Sequence, residues 1–194
     1  MVFGLFRRKK VRRFEDLRTK RLALAFRKIR AAETIASTLI VNLDKNIVFL
    51  KSGIKNLTQR ANELEKVGLR SEAALARNEA KNLSFMVRKI LLTRNILEQV
   101  KLRLETLKEA SEALSILAPT LNVLNKAIKE TSKTKPEIAY QLKNIRELLY
   151  SALLDLGEYT KVTIDYYVST STEAEKILLE AKEIAEKTFN ETFK

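Results

Sequence analysis

The side chains that could do chemistry are concentrated in the first thirteen residues, MVFGLFRRKKVRR, where an apolar group is followed directly by cations. The apolar residues are Val2, Phe3, Leu5 and Phe6, and the cations are Arg7, Arg8, Lys9, Lys10, Arg12 and Arg13. Apolar side chains can enter the acyl boundary of a bilayer while cations bind anionic headgroups, at about 1 kcal/mol per Lys or Arg. Because two such signals together anchor a protein where one does not, residues 1–13 predict binding to an anionic membrane.

The order of these residues differs from that of a secretory signal, which places its charges before a longer apolar core. The alternative is a solvated terminus whose phenylalanines pack back onto the fold. No apolar run approaches the roughly eighteen residues that a spanning helix needs, so we expect peripheral attachment.

Charge is distributed unevenly along the chain. Residues 1–30 hold twelve Lys and Arg against two acids, a net of +10 out of +13 for the whole chain. From residue 156 onwards eight acids face five lysines, a net of −3. We therefore extend the predicted membrane-binding surface into the cations that follow, which are Lys20, Arg21, Arg27 and Lys28.

The composition argues against catalysis. The chain has no Cys and no His, which excludes disulfides, thiol catalysis, zinc sites of the Cys/His type and histidine acid–base chemistry. Neither a glycine-rich phosphate loop nor a nucleophile elbow is present. Carboxylate pairs such as Glu63 and Glu65 are interpreted as solvated helix faces. We predict no enzyme activity and no cofactor or metal.

A heptad repeat begins at Leu22. One row is Leu22, Ile29, Ala36, Leu43, Leu50, Leu57 and Leu64, and a second row is Phe26, Ile40, Ile47, Ile54 and Ala61, with Glu33 as its polar exception. This spacing is typical of a coiled-coil seam. Gly68 is placed to end the helix, and apolar positions resume from Ala73 to Leu117. A short loop between long helices predicts an antiparallel hairpin.

Shorter helices are predicted after the hairpin. Pro119 is expected to break or kink the second helix, Thr134 and Glu137 form a capping box, and Ser169 begins a polar linker. The predicted fold class is all-α, a long antiparallel hairpin followed by three shorter helices. The predicted units are a membrane-binding segment 1–13, a hairpin core 14–118, short helices 119–168 that pack on or extend the core, and a mobile acidic helix 169–194.

The last helix is predicted to restrain the basic end of the molecule. Its candidate residues are Glu173, Glu175, Ile177, Leu179, Glu180, Glu183, Ile184 and Glu186. The expected docking face is the cationic start of the first helix, at Arg18, Lys20, Arg21, Arg27, Lys28 and Arg30. Exposed ion pairs contribute well under about 1 kcal/mol each, so this closed state is only marginally preferred. The alternative is a tail that makes no such contact.

The layout resembles that of the ESCRT-III family, with an apolar start, an Arg/Lys run, a long basic helix, a tight turn, an equally long second helix and short acidic helices. The stretch Leu5-Phe6-Arg7-Arg8-Lys9 is similar to the openings of several eukaryotic members. The absence of Cys and His, with high Lys, Glu and Leu, is similar to the archaeal cell-division branch, the Cdv B-type proteins. The sequence contains no winged-helix segment after the acidic helix, so the resemblance leads us to expect one of the shorter paralogues.

The resemblance implies subunits that insert the N-terminal segment into membrane and polymerise with themselves and related subunits into filaments that constrict membrane necks. It implies a cytoplasmic protein on the inner face of the cell membrane at the division site. It also implies remodelling by a Vps4-like AAA ATPase. Family members recruit the ATPase through a proline-rich motif or a helical Leu-x-x-Arg-Leu-x-x-Leu motif. Pro119 and Pro136 do not lie in a proline-rich run, and the stretch from Ile177 to Ile184 lacks the Arg. Recruitment is therefore expected to be indirect.

Two other functions remain open at this point. A basic helical protein could bind nucleic acid, because the cation cluster would also attract a phosphate backbone. However, the aromatic residues precede the cations and are not interleaved with them, so no nucleic-acid partner is expected. A BAR-like coiled-coil membrane scaffold that works as a fixed dimer is the other alternative.

Overall fold

The computed structural model describes residues 3–160 and 171–192, and the side chains of residues 18–110, 112–160 and 172–192. These residues form helices without any strand. In chain order they are α1 (Phe3–Lys66), α2 (Arg70–Glu105), α3 (Ala110–Thr131), α4 (Pro136–Thr160) and α5 (Ser171–Thr192). The predicted all-α class, a long hairpin followed by three shorter helices, is confirmed.

The hairpin turns at Val67, Gly68 and Leu69. Gly68 has φ +84°, a left-handed conformation that residues with a Cβ adopt only with strain. The N–H of Gly68 donates to the carbonyl of Glu65 at 3.1 Å, and that of Leu69 to Leu64 at 3.0 Å. These bonds satisfy carbonyls at the end of α1, which explains why the helix stops at the glycine that the sequence indicated.

The predicted seam holds α1 against α2. Side chains of both rows are buried from Ile29 to Ile54, and a Cβ built on Gly53 would lie 3.3 Å from Leu83 Cδ1 across the interface. A third row, Ala25, Ala32 and Leu39, is also buried. The seam alone does not explain this row. Because α4 also packs on α1, α1 buries a wider stripe than a two-helix seam requires.

The second helix ends at Glu105, and the prediction that it runs to Pro119 is wrong. Thr106 Oγ1 donates to the carbonyl of Arg103 at 2.8 Å, and α3 begins after a bend that contains neither Gly nor Pro. Pro119 lies inside α3. It deprives only the carbonyl of Ser115 of an i+4 donor, and Ser115 is exposed, so the helix continues through it.

The turn between α3 and α4 also differs from the predicted capping box. Thr134 Oγ1 donates to the carbonyl of Thr131 at 3.4 Å and does not cap the next helix. Pro136 takes the first helical position of α4, where its missing N–H costs no hydrogen bond and its fixed φ suits the helix. The resulting tight turn places α4 back along α3 and α1, while α5 packs on α2 and α3.

Burial predicts where substitution will be costly within α2. Leu97 is fully buried and Leu102 is 47% exposed. We expect Leu97→Ala to lower the free energy of unfolding by about 2–5 kcal/mol, because it removes apolar contacts and leaves a cavity. The matched variant Leu102→Ala should change it by no more than about 0.5 kcal/mol. Urea unfolding followed by circular dichroism measures both values, and equal losses would contradict this placement of the core.

Candidate functional site: the cationic start of α1 and the helices that mask it

The basic segment continues directly into α1. The backbone of residues 3–17 is helical, so the helix crosses the predicted boundary at residue 13. Val2 and the side chains of Phe3, Leu5, Phe6 and the six cations from Arg7 to Arg13 lie outside the described residues. Their membrane binding therefore stays a prediction. Ala25 is the first fully buried side chain of α1 among those described, and before it Leu22 packs partly buried against the core.

Lys28 forms the central contact between α1 and α4. Its Nζ donates to Asp155 Oδ2 at 2.5 Å and to Ser151 Oγ at 2.8 Å. The side chains of Lys28 and Asp155 are only 22% and 20% exposed. A hydrogen-bonded ion pair that is partly removed from water is stronger than a pair on the open surface. This contact therefore fixes the register of α4 against α1.

The last turn of α4 also engages cations nearer the start of α1. Arg18 donates to the carbonyl of Tyr159 at 2.7 Å, and its guanidinium lies 5.2 Å from the centroid of the Tyr159 ring. Arg21 forms an ion pair with Glu158. Both side chains of that pair are at least half exposed, so water and salt screen it.

The predicted membrane-binding cations thus fall into two groups. Arg21 and Lys28 pair with carboxylates of α4. Lys20 and Arg27 are exposed, and neither forms an ion pair with a carboxylate of the described residues. Among the cations whose side chains the structure describes, the end of α4 therefore pairs with some and leaves Lys20 and Arg27 open.

The acidic helix does fold back, but onto a different surface from the one predicted. Glu173 Oε1 and Glu180 Oε2 each lie 3.8 Å from the same guanidinium nitrogen of Arg103 in α2. The prediction that they meet the start of α1 is wrong, because α4 already lies there. Glu175, Glu183 and Glu186 are exposed, and none of them forms an ion pair within the described residues.

The apolar anchors of α5 are also only partly those predicted. Ile177 is fully buried, whereas Leu179 and Ile184 are 59% and 44% exposed. The buried stripe consists of Ala174, Ile177, Ala181, Ala185 and Phe189. The predicted burial of Leu179 and Ile184 is therefore wrong, since the stripe advances by three, four, four and four residues, which passes over Leu179 and buries Ala185 in place of Ile184.

The end of α5 is held by cations of the hairpin. The Arg88 guanidinium lies 4.2 Å from the centroid of the Phe189 ring, a distance at which a cation is attracted to the face of an aromatic ring. Lys51 Nζ donates to Thr192 Oγ1 at 3.2 Å. These contacts show that α5 runs antiparallel to α2, from Arg103 towards Arg88.

The sequence analysis missed the face of α2 that receives α5. Arg88, Asn95 and Arg103 lie at helical spacings of seven and eight residues, and Gln99 Oε1 accepts from Arg103 at 2.9 Å. Asn95 is buried, and its Nδ2 has no hydrogen-bond partner among the described residues. The recurrence of polar residues at this spacing was the available signal.

The ion pair between Glu65 and Arg77 at the hairpin tip shifts the pKa of both side chains. Arg77 hydrogen-bonds to Glu65, which holds the pKa of Glu65 below its ordinary value, and the same bond raises the pKa of Arg77. The pair is therefore intact above the ordinary carboxylate range and is lost as pH falls through the lowered pKa of Glu65. Both side chains are half exposed, so the pair acts locally at the tip.

Within the described ranges, no group of three His, Cys, Asp or Glu side chains could hold a metal ion. None of the helices in that part of the chain is long and apolar enough to cross a membrane.

Comparison with known proteins identifies the family. The chain is 30% identical over 170 residues to the cell division protein B1 of Sulfolobus acidocaldarius, a match that covers 88% of this chain and 78% of that protein. The chain belongs to the archaeal cell division protein B family of the ESCRT-III type. The resemblance drawn from the sequence is thereby confirmed. This B-type chain is also 24% identical over 144 residues to the cell division protein B of the same organism, covering 74% of the chain and 55% of that protein.

No family model matches this B-type chain. No solved structure matches it either.

A double-mutant cycle tests the contact between α1 and α4. Lys28→Met and Asp155→Asn, singly and together, should give a coupling free energy of about 1–2 kcal/mol, because this pair is largely shielded from water. Arg21→Met with Glu158→Gln is the matched exposed pair and should couple by well under 1 kcal/mol. Urea unfolding supplies the free energies. Coupling of Lys28 with Asp155 no larger than that of Arg21 with Glu158 would show that Lys28 does not hold α4.

Proposed function

We propose that this B-type chain is a membrane-binding subunit that polymerises into filaments acting in archaeal cell division. The observation that carries the proposal is the organisation of α1. One helix of 64 residues contains both the seam that holds the hairpin together and the basic stretch, with a net +10 in residues 1–30. A surface that binds the anionic phosphates of a membrane is thus rigidly joined to the body of the subunit.

A membrane suits the basic stretch better than a nucleic acid does. The chain places Phe3, Leu5 and Phe6 in one block ahead of the cations, and apolar side chains beside cations bind where an acyl boundary meets anionic headgroups. Protein surfaces that bind single strands instead alternate aromatic and cationic side chains along the groove. Nucleic-acid binding is therefore the alternative outcome of the membrane experiment.

The role in division is drawn from the two relatives, which are both named cell division proteins. We place the chain on the inner face of the cell membrane at the division site, with related B-type subunits as partners. A Vps4-like ATPase would act on the filament indirectly, because the stretch from Ile177 to Ile184 lacks the recruitment motif and Ile177 is buried against the body.

Membrane binding should depend on both the apolar residues and the cations of residues 1–13. Replacing Phe3, Leu5 and Phe6 by serine should remove the chain from vesicles of anionic phospholipid at 0.15 M salt, where screening limits the reach of the cations to about 8 Å. Binding of the variant should persist at low salt, since the cations remain. Vesicle flotation measures the bound fraction, with helical content from circular dichroism as the control. Equal flotation of variant and parent at 0.15 M salt, or preference for DNA over vesicles, would contradict the proposal.

We also propose that α5 restrains the subunit in the closed arrangement. Its anchors are few: Ile177, three alanines, the Phe189 ring beside Arg88 and the partly exposed ion pairs at Arg103. An interface with such small apolar anchors is only weakly preferred, so binding to membrane or to another subunit can displace it.

Variants within α5 test the restraint. Ile177→Ser and Phe189→Ala remove buried anchors and should increase pelleting and vesicle binding at low salt, because they shift the population away from the closed form. Leu179→Ser and Ile184→Ser alter exposed residues of the same helix and should behave like the parent. Truncation after Tyr167, which removes α5, should increase pelleting and vesicle binding as Ile177→Ser and Phe189→Ala do. If the truncated chain assembles no more readily than the full chain, α5 does not restrain assembly.

A further inference from the structure

The outer face of α4 is unoccupied by any described element. Tyr140, Glu147 and Leu154 recur every seven residues, and Lys143 and Tyr150 lie three residues on from the first two, so all five form one stripe. Tyr140 is 65% exposed, and Tyr150 and Leu154 are also exposed. The opposite face, with Leu142, Ile145 and Leu149, is fully buried in the body. Tyrosine is enriched where proteins contact one another, so this stripe has the composition of an interface.

A second exposed stripe lies on α1, on the side away from α2. Val41 and Val48 are seven residues apart, Lys45 lies between them, and Phe49 and Ser52 continue the row. Phe49 is 77% exposed and Val48 67% exposed. Lys45 is the one charged residue of this stripe. The neighbouring Asp44 is directed to α2, where it accepts from Arg94 Nε at 3.2 Å.

The two stripes have similar lengths and carry opposite charges at their centres. The α1 stripe spans about 16 Å and the α4 stripe about 21 Å, at 1.5 Å per residue. Lys45 lies between Val41 and Val48 on α1, and Glu147 lies between Lys143 and Tyr150 on α4. If Lys45 and Glu147 face each other, Lys143 lies one helical turn from the pair. It then faces Val41 or Phe49, depending on the relative direction of the two helices. Neither direction places Lys143 against a second lysine.

We infer that the α4 stripe of one copy docks on the α1 stripe of a second copy, with Glu147 opposite Lys45. The two stripes of one chain cannot meet, because α4 packs on α1 through its other face. Different patches are used on the two sides of the contact, a heterologous arrangement that can repeat from copy to copy. This inference rests on the proposed polymerisation and names the surfaces that form it.

Substitution of each stripe tests the contact in the full-length chain. Tyr140→Ser with Tyr150→Ser, and separately Val48→Ser with Phe49→Ser, should raise the concentration needed for pelleting about ten-fold, because buried aromatic anchors dominate such interfaces. Val67→Ser with Leu75→Ser removes two residues that are equally exposed at the hairpin tip and should leave the threshold unchanged. Circular dichroism and urea unfolding check that each variant folds.

Charge reversal tests the pairing itself. Lys45→Glu and Glu147→Lys should each reduce pelleting when alone, since each places like charges together. A mixture of the two variants should restore it, because alternating copies then present opposite charges at every contact. The chain with both changes should also assemble. Failure of the mixture and of the double variant to recover would overturn the pairing.

The outcomes separate this inference from the proposed function. Parent protein that never pellets, with or without anionic vesicles, would overturn both, and a discrete dimer would favour the fixed scaffold. Parent that pellets, with stripe variants that pellet equally well, would leave the proposed function standing and overturn this contact. If the variants kept self-assembly and lost only the capture of a related subunit, the stripe would belong to that partner and the inference would be wrong.

Discussion

A helix as long as α1 is stable in water only if other elements bury a stripe along much of its length, because isolated helices gain too little from their own hydrogen bonds. The antiparallel return of α2 covers the seam, and α4 covers the row from Ala25 to Leu39. The tight turn at Thr131–Lys135 follows from this need, since it returns the chain to α1. The first fully buried side chain of α1 among the described residues is Ala25, so the demand for burial is met along α1 from that residue onwards.

The two helices that pack on the hairpin, α4 and α5, are held by different kinds of contact. α4 has fully buried leucines and an isoleucine along its inner face, and Lys28 bonds to both Ser151 and Asp155. α5 relies on Ile177, Phe189, small alanines and charges that share Arg103. Alanine buries little apolar surface, so most contacts of α5 contribute less than those of α4. We therefore expect α5 to be released before α4.

The sequence predicted the features that depend on local periodicity. The heptad rows and Gly68 defined the hairpin because a seam and a left-handed turn each require particular residues at fixed positions. The end of α2 escaped prediction, since Thr106 to Glu109 contain no residue that forbids a helix and Pro119 was the stronger signal. The partner of α5 was wrong for a different reason. Net charge alone favours the start of α1, but the short α3–α4 turn places α4 there first and leaves α2 for α5.

Membrane and α4 compete for the same side chains on the proposed surface. Asp155 and Glu158 neutralise Lys28 and Arg21, which an anionic headgroup would also bind. By linkage, a membrane that binds these cations weakens the hold of α4 on α1, and release of α4 strengthens membrane binding by the same factor. Lys28 carries most of this coupling, because its pair with Asp155 is shielded from water and that of Arg21 is not. The contact that fixes α4 in the closed subunit is therefore also the one through which a membrane would act on it.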